Sequence, residues 1–186
     1  MDRRDFISHT SAIGGVLAIP GTPGIADLFK SVDEPWFDKS MRWAQLAFVE
    51  NDPGRFDPDF WLDYFKRIHA DGALLSAGGI VAFYPTKIPL HHRSDWLADS
   101  NPLGYLIEGC RKMKMTIILR TDPHAVRQNV YDAHPEYMSV LANGEKRRHW
   151  ANKDLWVTCA YGPYNFEFMT KVNIEIMQMF KPEGIF

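Results

Sequence analysis

The sequence predicts a parallel α/β fold: the N-terminal half of a (β/α)8 TIM barrel, with a β-hairpin inserted after strand 3. Three observations predict it. Short apolar runs alternate with helix-periodic segments in the order strand, helix, strand, helix, strand, helix, strand, as in a sheet whose crossovers are helices. The apolar runs give way to polar or glycine-rich segments at their C-terminal ends, where parallel α/β folds bind ligands. No G-x-G-x-x-G follows the first run, which argues against a dinucleotide-binding sheet.

The first strand is Trp43 to Val49, closing on Glu50-Asn51-Asp52-Pro53-Gly54. Asp57-Pro58 supplies an N-cap and a first-turn proline. Phe60, Trp61, Tyr64, Phe65 and Ile68 then recur at helical spacing and are assigned to the core. Ala73 to Ala77 is the second strand, ending at Gly78-Gly79, where the missing side chains admit a close neighbour. The loop from Ile80 to Ser100 is long for a compact domain and rich in aromatic and ionisable residues, which marks it as functional. Asn101-Pro102 opens the second helix, with the stripe Leu103, Leu106, Ile107, Cys110 and Met113.

Met115 to Leu119 is the third strand, apolar and partly β-branched as befits a strand buried on both faces. It delivers Arg120, Thr121, Asp122 and His124 at its C-terminal end, and Pro123 forbids its continuation. Asn143-Gly144 lies between two strand-like runs, Glu136 to Leu141 and Glu145 to Trp150, and marks the inserted hairpin. Leu155 to Ala160 is a further extended piece. Gly162-Pro163 opens the third helix, with Phe166, Met169, Val172, Ile176, Met177 and Phe180 expected inward. Ile185-Phe186 begin a fourth strand. A barrel of this type typically has ~250 residues, so residues 33–186 are expected to be an N-terminal part of one, incomplete at the C-terminus. Alone, such a half leaves a sheet edge and an apolar face uncovered, so the 186-residue chain by itself is expected to be inactive and poorly soluble.

Composition narrows the function. The chain of 186 residues is 46% hydrophobic and 24% charged, with a formal net charge of −2. Without a basic face it is not expected to bind nucleic acid. Cys110 and Cys159 are too few for a disulfide framework and are not spaced for zinc. The histidines form no H-x-x-x-H or H-E-x-x-H pattern, so no metal and no cofactor is expected. At the N-terminus, paired Arg3 and Arg4 are followed by Phe6 and Ile7, the pattern of a twin-arginine export signal. The apolar stretch after it is far shorter than the ~20 residues of a membrane span. Residues 1–32 are therefore read as a signal peptide and linker, the export machinery as a partner, and the destination as periplasmic or extracellular.

Several stretches together resemble a family of bacterial glycoside hydrolases related to α-L-fucosidases and, more distantly, to barrel β-galactosidases. They are Asp57-Pro-Asp-Phe-Trp-Leu-Asp-Tyr-Phe65, Leu90-His-His-Arg-Ser-Asp-Trp96, Leu119-Arg-Thr-Asp-Pro-His124, His134-Pro-Glu-Tyr137 with Asn143-Gly144, Arg148-His-Trp-Ala-Asn152 and Pro182-Glu-Gly-Ile-Phe186. The resemblance implies an exported (β/α)8 protein that cleaves glycosidic bonds with two carboxyl groups. It also implies that the carboxylate after the fourth strand lies beyond Phe186, so no residue here is assigned to catalysis.

Candidate substrate-binding residues are Glu50, His91, His92, Arg120, Asp122, His124, Trp150, Trp156 and Tyr161. The charged groups and histidines could hydrogen-bond sugar hydroxyls; Arg120 and Asp122 could equally form a structural pair. The aromatic residues could stack on sugar rings or simply pack the hairpin. Two functions follow: an exported hydrolase of O-glycosidic bonds acting on a carbohydrate substrate, or a non-catalytic carbohydrate-binding protein on a degenerate barrel.

Overall fold

The computed structural model describes residues 35–186, whose compact unit runs from Trp36 to Phe186. The export signal at Arg3, Arg4 and Phe6 lies outside the described residues. A short helix α1 (Trp36–Lys39) precedes β1 (Trp43–Leu46), α2 (Pro58–Arg67), β2 (Gly72–Gly79), α3 (Pro102–Lys112) and β3 (Thr116–Asp122). An excursion then carries β4 (Ala125–Val126), α4 (Gln128–Ala133) and β5 (Trp156–Val157) before α5 (Met169–Phe180) and β6 (Gly184–Ile185). Strands β1, β2, β3 and β6 form one parallel sheet in that order, and β4 pairs antiparallel with β5. The expected alternation and strand order are therefore present.

The sheet's two faces differ because successive side chains on a strand point to opposite sides. Ala44 and Leu46, Ala73 and Leu75, and Ile117 and Leu119 share register rows and are buried beneath the helices. Leu103, Leu106, Ile107 and Cys110 of α3 and Val172, Ile176 and Phe180 of α5 close that core. The opposite face carries Trp43, Gln45, Leu74 and Ile118 and borders an open groove of about 360 Å3.

Local signals act as read. Asp57 caps α2 through the N–H groups of Asp59 and Phe60, and Asn101 caps α3 through that of Gly104, each cap being worth about 1 kcal/mol. Gly144 sits at φ +86° in the hairpin turn. The arms of that hairpin make isolated bridges, Val140 with Lys146 and Arg148 with Trp156, in place of regular strands.

Four expectations need correction. Strand β1 leaves the ladder after Leu46, three residues early, because the Phe48 N–H turns to Ser76 Oγ. Strand β3 continues through Arg120, Thr121 and Asp122, which are ladder residues and not loop; a shift of register between Ser76 and Gly78 lets β2 follow it. Helix α2 buries Phe65, with Trp61 and Leu62 packed against the core, whereas Phe60, Tyr64 and Ile68 are exposed. Leu62 fills the space above Gly109 of α3, and this contact fixes which part of a broad aromatic and aliphatic arc faces in. In the third helix Phe166 and Met177 are exposed and Tyr164 and Phe168 are buried instead. A π-turn at Tyr164–Phe168, closed by the Met169 N–H on the Tyr164 carbonyl, inserts an extra residue and rotates the inward stripe.

Gly79 is the tightest point of the sheet. Its φ is +108°, and a Cβ there would lie 2.4 Å from the Asp122 main chain. Gly79→Ala is expected to cost more than about 3 kcal/mol, from a left-handed backbone penalty of ~1–2 kcal/mol plus a clash that only main-chain movement relieves. Gly144→Ala, with open space around it, should cost only ~1 kcal/mol. Denaturant titration of both variants checks this; equal losses would show that the close approach at Gly79 is unimportant.

Candidate functional site

Strand ends and the long loop build a polar rim. Glu50 follows β1 and is held from two sides: His92 Nε2 lies 2.8 Å from Oε1, and the Arg127 guanidinium donates to Oε2. The Glu50 main chain is fixed as well, since Ser94 Oγ donates to its carbonyl at 2.6 Å. On β3, Arg120 and Asp122 are two residues apart and so share a face; they form an ion pair at 2.8 Å. All five side chains are partly exposed.

Beside this network lies a cleft of about 290 Å3, lined by Phe48, Ile80, Phe83 and Leu155 and by the polar Glu50, Asp122, Arg127 and Asn152. It has apolar walls with a few convergent donors and acceptors, the composition of a small-molecule site. A larger hollow of about 760 Å3 runs along β1 past Asp52, Arg55 and Trp61 and shares Phe48 and Val49 with the cleft. Asp95 approaches Glu50 and His92, so that one ligand atom from each lies within 4.8 Å of the others. A cation there would have to compete with the guanidinium already on Glu50.

The structure places the predicted residues differently. Glu50, His92, Arg120 and Asp122 meet at the rim. His124 and Trp150 cluster with His149 on the excursion, where Trp150 is 68% exposed and stacks on the His149 ring at 3.9 Å. Tyr161 is 91% exposed and belongs to neither group.

His91 and Trp156 are buried. Both ring nitrogens of His91 are used inside the protein, by Gly79 and Thr86. Burial pushes its pKa down to about 4. Trp156 is sandwiched by Tyr131, stacked at 3.8 Å, and Arg148, 3.5 Å above the ring, and its indole N–H donates to Gln128. Neither presents a face to a ligand. Trp156 thus packs the excursion, the alternative to sugar stacking, and His91, expected among the sugar-binding groups, packs inside the protein.

Sequence reading missed Arg127, the second partner of Glu50. The available signal was a cation just past a strand end and immediately before a helix, but its partner is 77 residues away.

These features define a class: a parallel α/β sheet of barrel type with a hydrogen-bonding rim at its C-terminal edge. Solved structures share the fold. The α-L-fucosidase isoenzyme 2 of Paenibacillus thiaminolyticus aligns with 77% of this chain at a TM-score of 0.58 and 18% identity. An α-amylase of Lactobacillus plantarum aligns with 82% at 0.53 and 13%, and an α-galactosidase of Thermus thermophilus with 77% at 0.51 and 11%. The chain spans 22%, 39% and 29% of those proteins, respectively. No curated protein matches by sequence. A family model described as "Hypothetical glycosyl hydrolase 6" matches residues 58–186, and the chain belongs to that family.

Two outcomes test the sorting of residues. Unfolded His91 titrates near 6.5 and folded His91 near 4, so between those values the unfolded chain binds more protons and stability falls with falling pH. His91→Gln should flatten that slope in denaturant titrations at pH 4 to 7; an unchanged slope would place the pH dependence elsewhere. Trp156→Ala should cost about 3–5 kcal/mol and Trp150→Ala less than ~1 kcal/mol by the same measurement. The reverse order would contradict the burial described.

Proposed function

We propose that the protein is an exported glycoside hydrolase that holds a glycosyl unit in the rim cleft. The observation that carries this reading is the mutually paired set of Glu50, Arg127, His92, Arg120 and Asp122 beside a cleft with apolar walls. Two carboxylates facing two guanidinium groups and an imidazole offer fixed acceptors and donors without a large net charge. That suits vicinal hydroxyls on an uncharged sugar better than a strongly anionic ligand. Membership of a glycosyl hydrolase family supports the same reading.

The chemistry is cleavage of an O-glycosidic bond by a carboxyl pair. Glu50 and Asp122 are assigned to binding, because an arginine-held carboxylate suits a standing hydrogen-bond acceptor. Trp150, exposed on the excursion, is the candidate platform for a second sugar of a longer glycan. Export rests on the Arg3-Arg4 and Phe6 pattern. Among the described residues no helix is long and apolar enough to cross a membrane.

The test starts with the protein recovered from the exported fraction of its host, a recovery that Arg3→Lys with Arg4→Lys should abolish. Aryl α-L-fucosides, α- and β-galactosides and α-glucosides, with matching oligosaccharides, form the substrate panel. Since the carboxyl pair is expected beyond Phe186, turnover of at least one is expected of the exported protein as its host makes it and not of residues 1–186 alone, and Glu50→Gln should lower kcat/KM by about tenfold or more, the worth of one charge-assisted hydrogen bond. Trp150→Ala should weaken only the longer oligosaccharides. Binding without turnover would select the non-catalytic carbohydrate-binding alternative. Neither binding nor turnover would overturn the reading.

A further inference from the structure

Helix α5 carries a carboxylate for which the site described above has no use. Glu175 of α5 accepts three hydrogen bonds from the long loop between β2 and α3: from Tyr84 Oη at 2.8 Å, Thr86 Oγ1 at 2.6 Å and the Lys87 N–H at 2.7 Å. Thr86 passes the contact on. Its Oγ1 also lies 3.2 Å from His91 Nδ1 and accepts the Ile88 N–H. On the far side of the ring, His91 Nε2 is 3.3 Å from the Gly79 nitrogen.

The directions of these bonds are determined. A backbone N–H only donates, so Nε2 accepts from Gly79 and the proton of neutral His91 sits on Nδ1. Nδ1–H then donates to Thr86 Oγ1, and the hydroxyl proton of Thr86 is left for Glu175. The result is a one-way chain from the end of β2, through the ring and the hydroxyl, to a carboxylate on α5. A carboxamide at position 175 would turn an N–H2 toward at least one of the three donors.

The chain ends where the rim begins. The Ala82 N–H bonds the His92 carbonyl at 2.7 Å, and the Ser94 N–H bonds the Ala82 carbonyl at 3.0 Å. Residues 91 to 94 are thus held in bridge-like backbone, and neighbouring side chains point to opposite sides. With His91 drawn into the core, His92 is thrown outward to Glu50 and Ser94 to the Glu50 carbonyl. Leu90, immediately before them, has φ +67°, a conformation disfavoured by ~1–2 kcal/mol for a residue with a Cβ. Something must hold it, and the seat of His91 does so. Gly78 makes that seat possible, since a Cβ there would meet the His91 ring at 3.1 Å.

We propose that Glu175 is a positioning residue for the rim, acting through Thr86 and His91 to hold the loop in the arrangement that presents His92 to Glu50. The proposal rests on the reading of the rim as the sugar site, but its first readout needs no sugar. In the full chain, the histidine ring signals are recorded by nitrogen-edited NMR, with His92 assigned by His92→Gln. Glu175→Gln and Thr86→Val should move the His92 signals toward those of the Glu50→Gln variant, and Thr86→Ser should restore them. On whichever aryl glycoside the unaltered protein turns over, the first two variants should lose about tenfold or more in kcat/KM, and Thr86→Ser should recover it.

His92 signals and kcat/KM left unchanged in variants of lowered thermal stability would reduce Glu175 to a merely structural anchor and overturn the proposal. If Glu175→Gln does not fold, Thr86→Val, which removes only a hydroxyl's hydrogen bonds, decides in its place. If the unaltered protein turns over nothing, the glycosidase reading fails on that result, and the ring signals still decide the relay.

Discussion

Strand β2 is the constraint on which the rest depends. It is paired on both sides, with every residue of β1 and of β3, and nearly all of it is buried. A buried strand must satisfy every main-chain polar group through its ladders. The small residues Gly72, Ala73, Ala77, Gly78 and Gly79 let other groups come close enough to do so. Trp43 packs over Gly72, the His91 ring over Gly78, and the Asp122 main chain against Gly79. One strand thus sets the position of β1, of the long loop and of the end of β3, which are the three sources of the rim.

The rim itself is an electrostatic compromise. Partly buried charges are costly unless paired, and here each carboxylate faces a guanidinium. Paired groups of this kind contribute little to stability when solvent reaches them, and their value lies in geometry. Glu50 cannot rotate freely between His92 and Arg127, nor Asp122 beside Arg120. The polar groups bordering the cleft are therefore held before a ligand arrives, which lowers the ordering cost of binding. The excursion between β3 and α5 has a different character. There Trp150 and Tyr161 project into solvent and Trp156 is locked between Tyr131 and Arg148, so aromatic residues close together in sequence serve opposite ends.

The sites of the main elements were legible because the signals were local. Proline and an Asx cap at Asp57-Pro58 and Asn101-Pro102, glycine at Gly144 and a proline at Pro123 act within a few residues of themselves. The inward face of a helix was legible only where one side was polar. In α3 the stripe was unambiguous and correct. In α2 and around Tyr164 the segment was apolar on several sides, and the choice fell to a single contact, Leu62 on Gly109, and to one π-turn. The rim was legible as a place, since polar residues crowd the strand ends, but its pairs were not. Glu50 with Arg127 and Thr86 with Glu175 span 77 and 89 residues, and no spacing rule connects them.

The sequence by itself determined the alternation of strand and helix, the hairpin turn, the core placement of α3 and the residue types available at the strand ends. These follow from periodicity and from backbone preferences, which each residue carries with it. Only the tertiary structure decided which of two adjacent histidines faces the rim, which tryptophan is exposed, and which arginine answers Glu50. Those choices depend on burial and on which groups lie within hydrogen-bonding reach. Both are properties of the packed sheet, its loop and its helices acting together, and no short stretch of chain contains them.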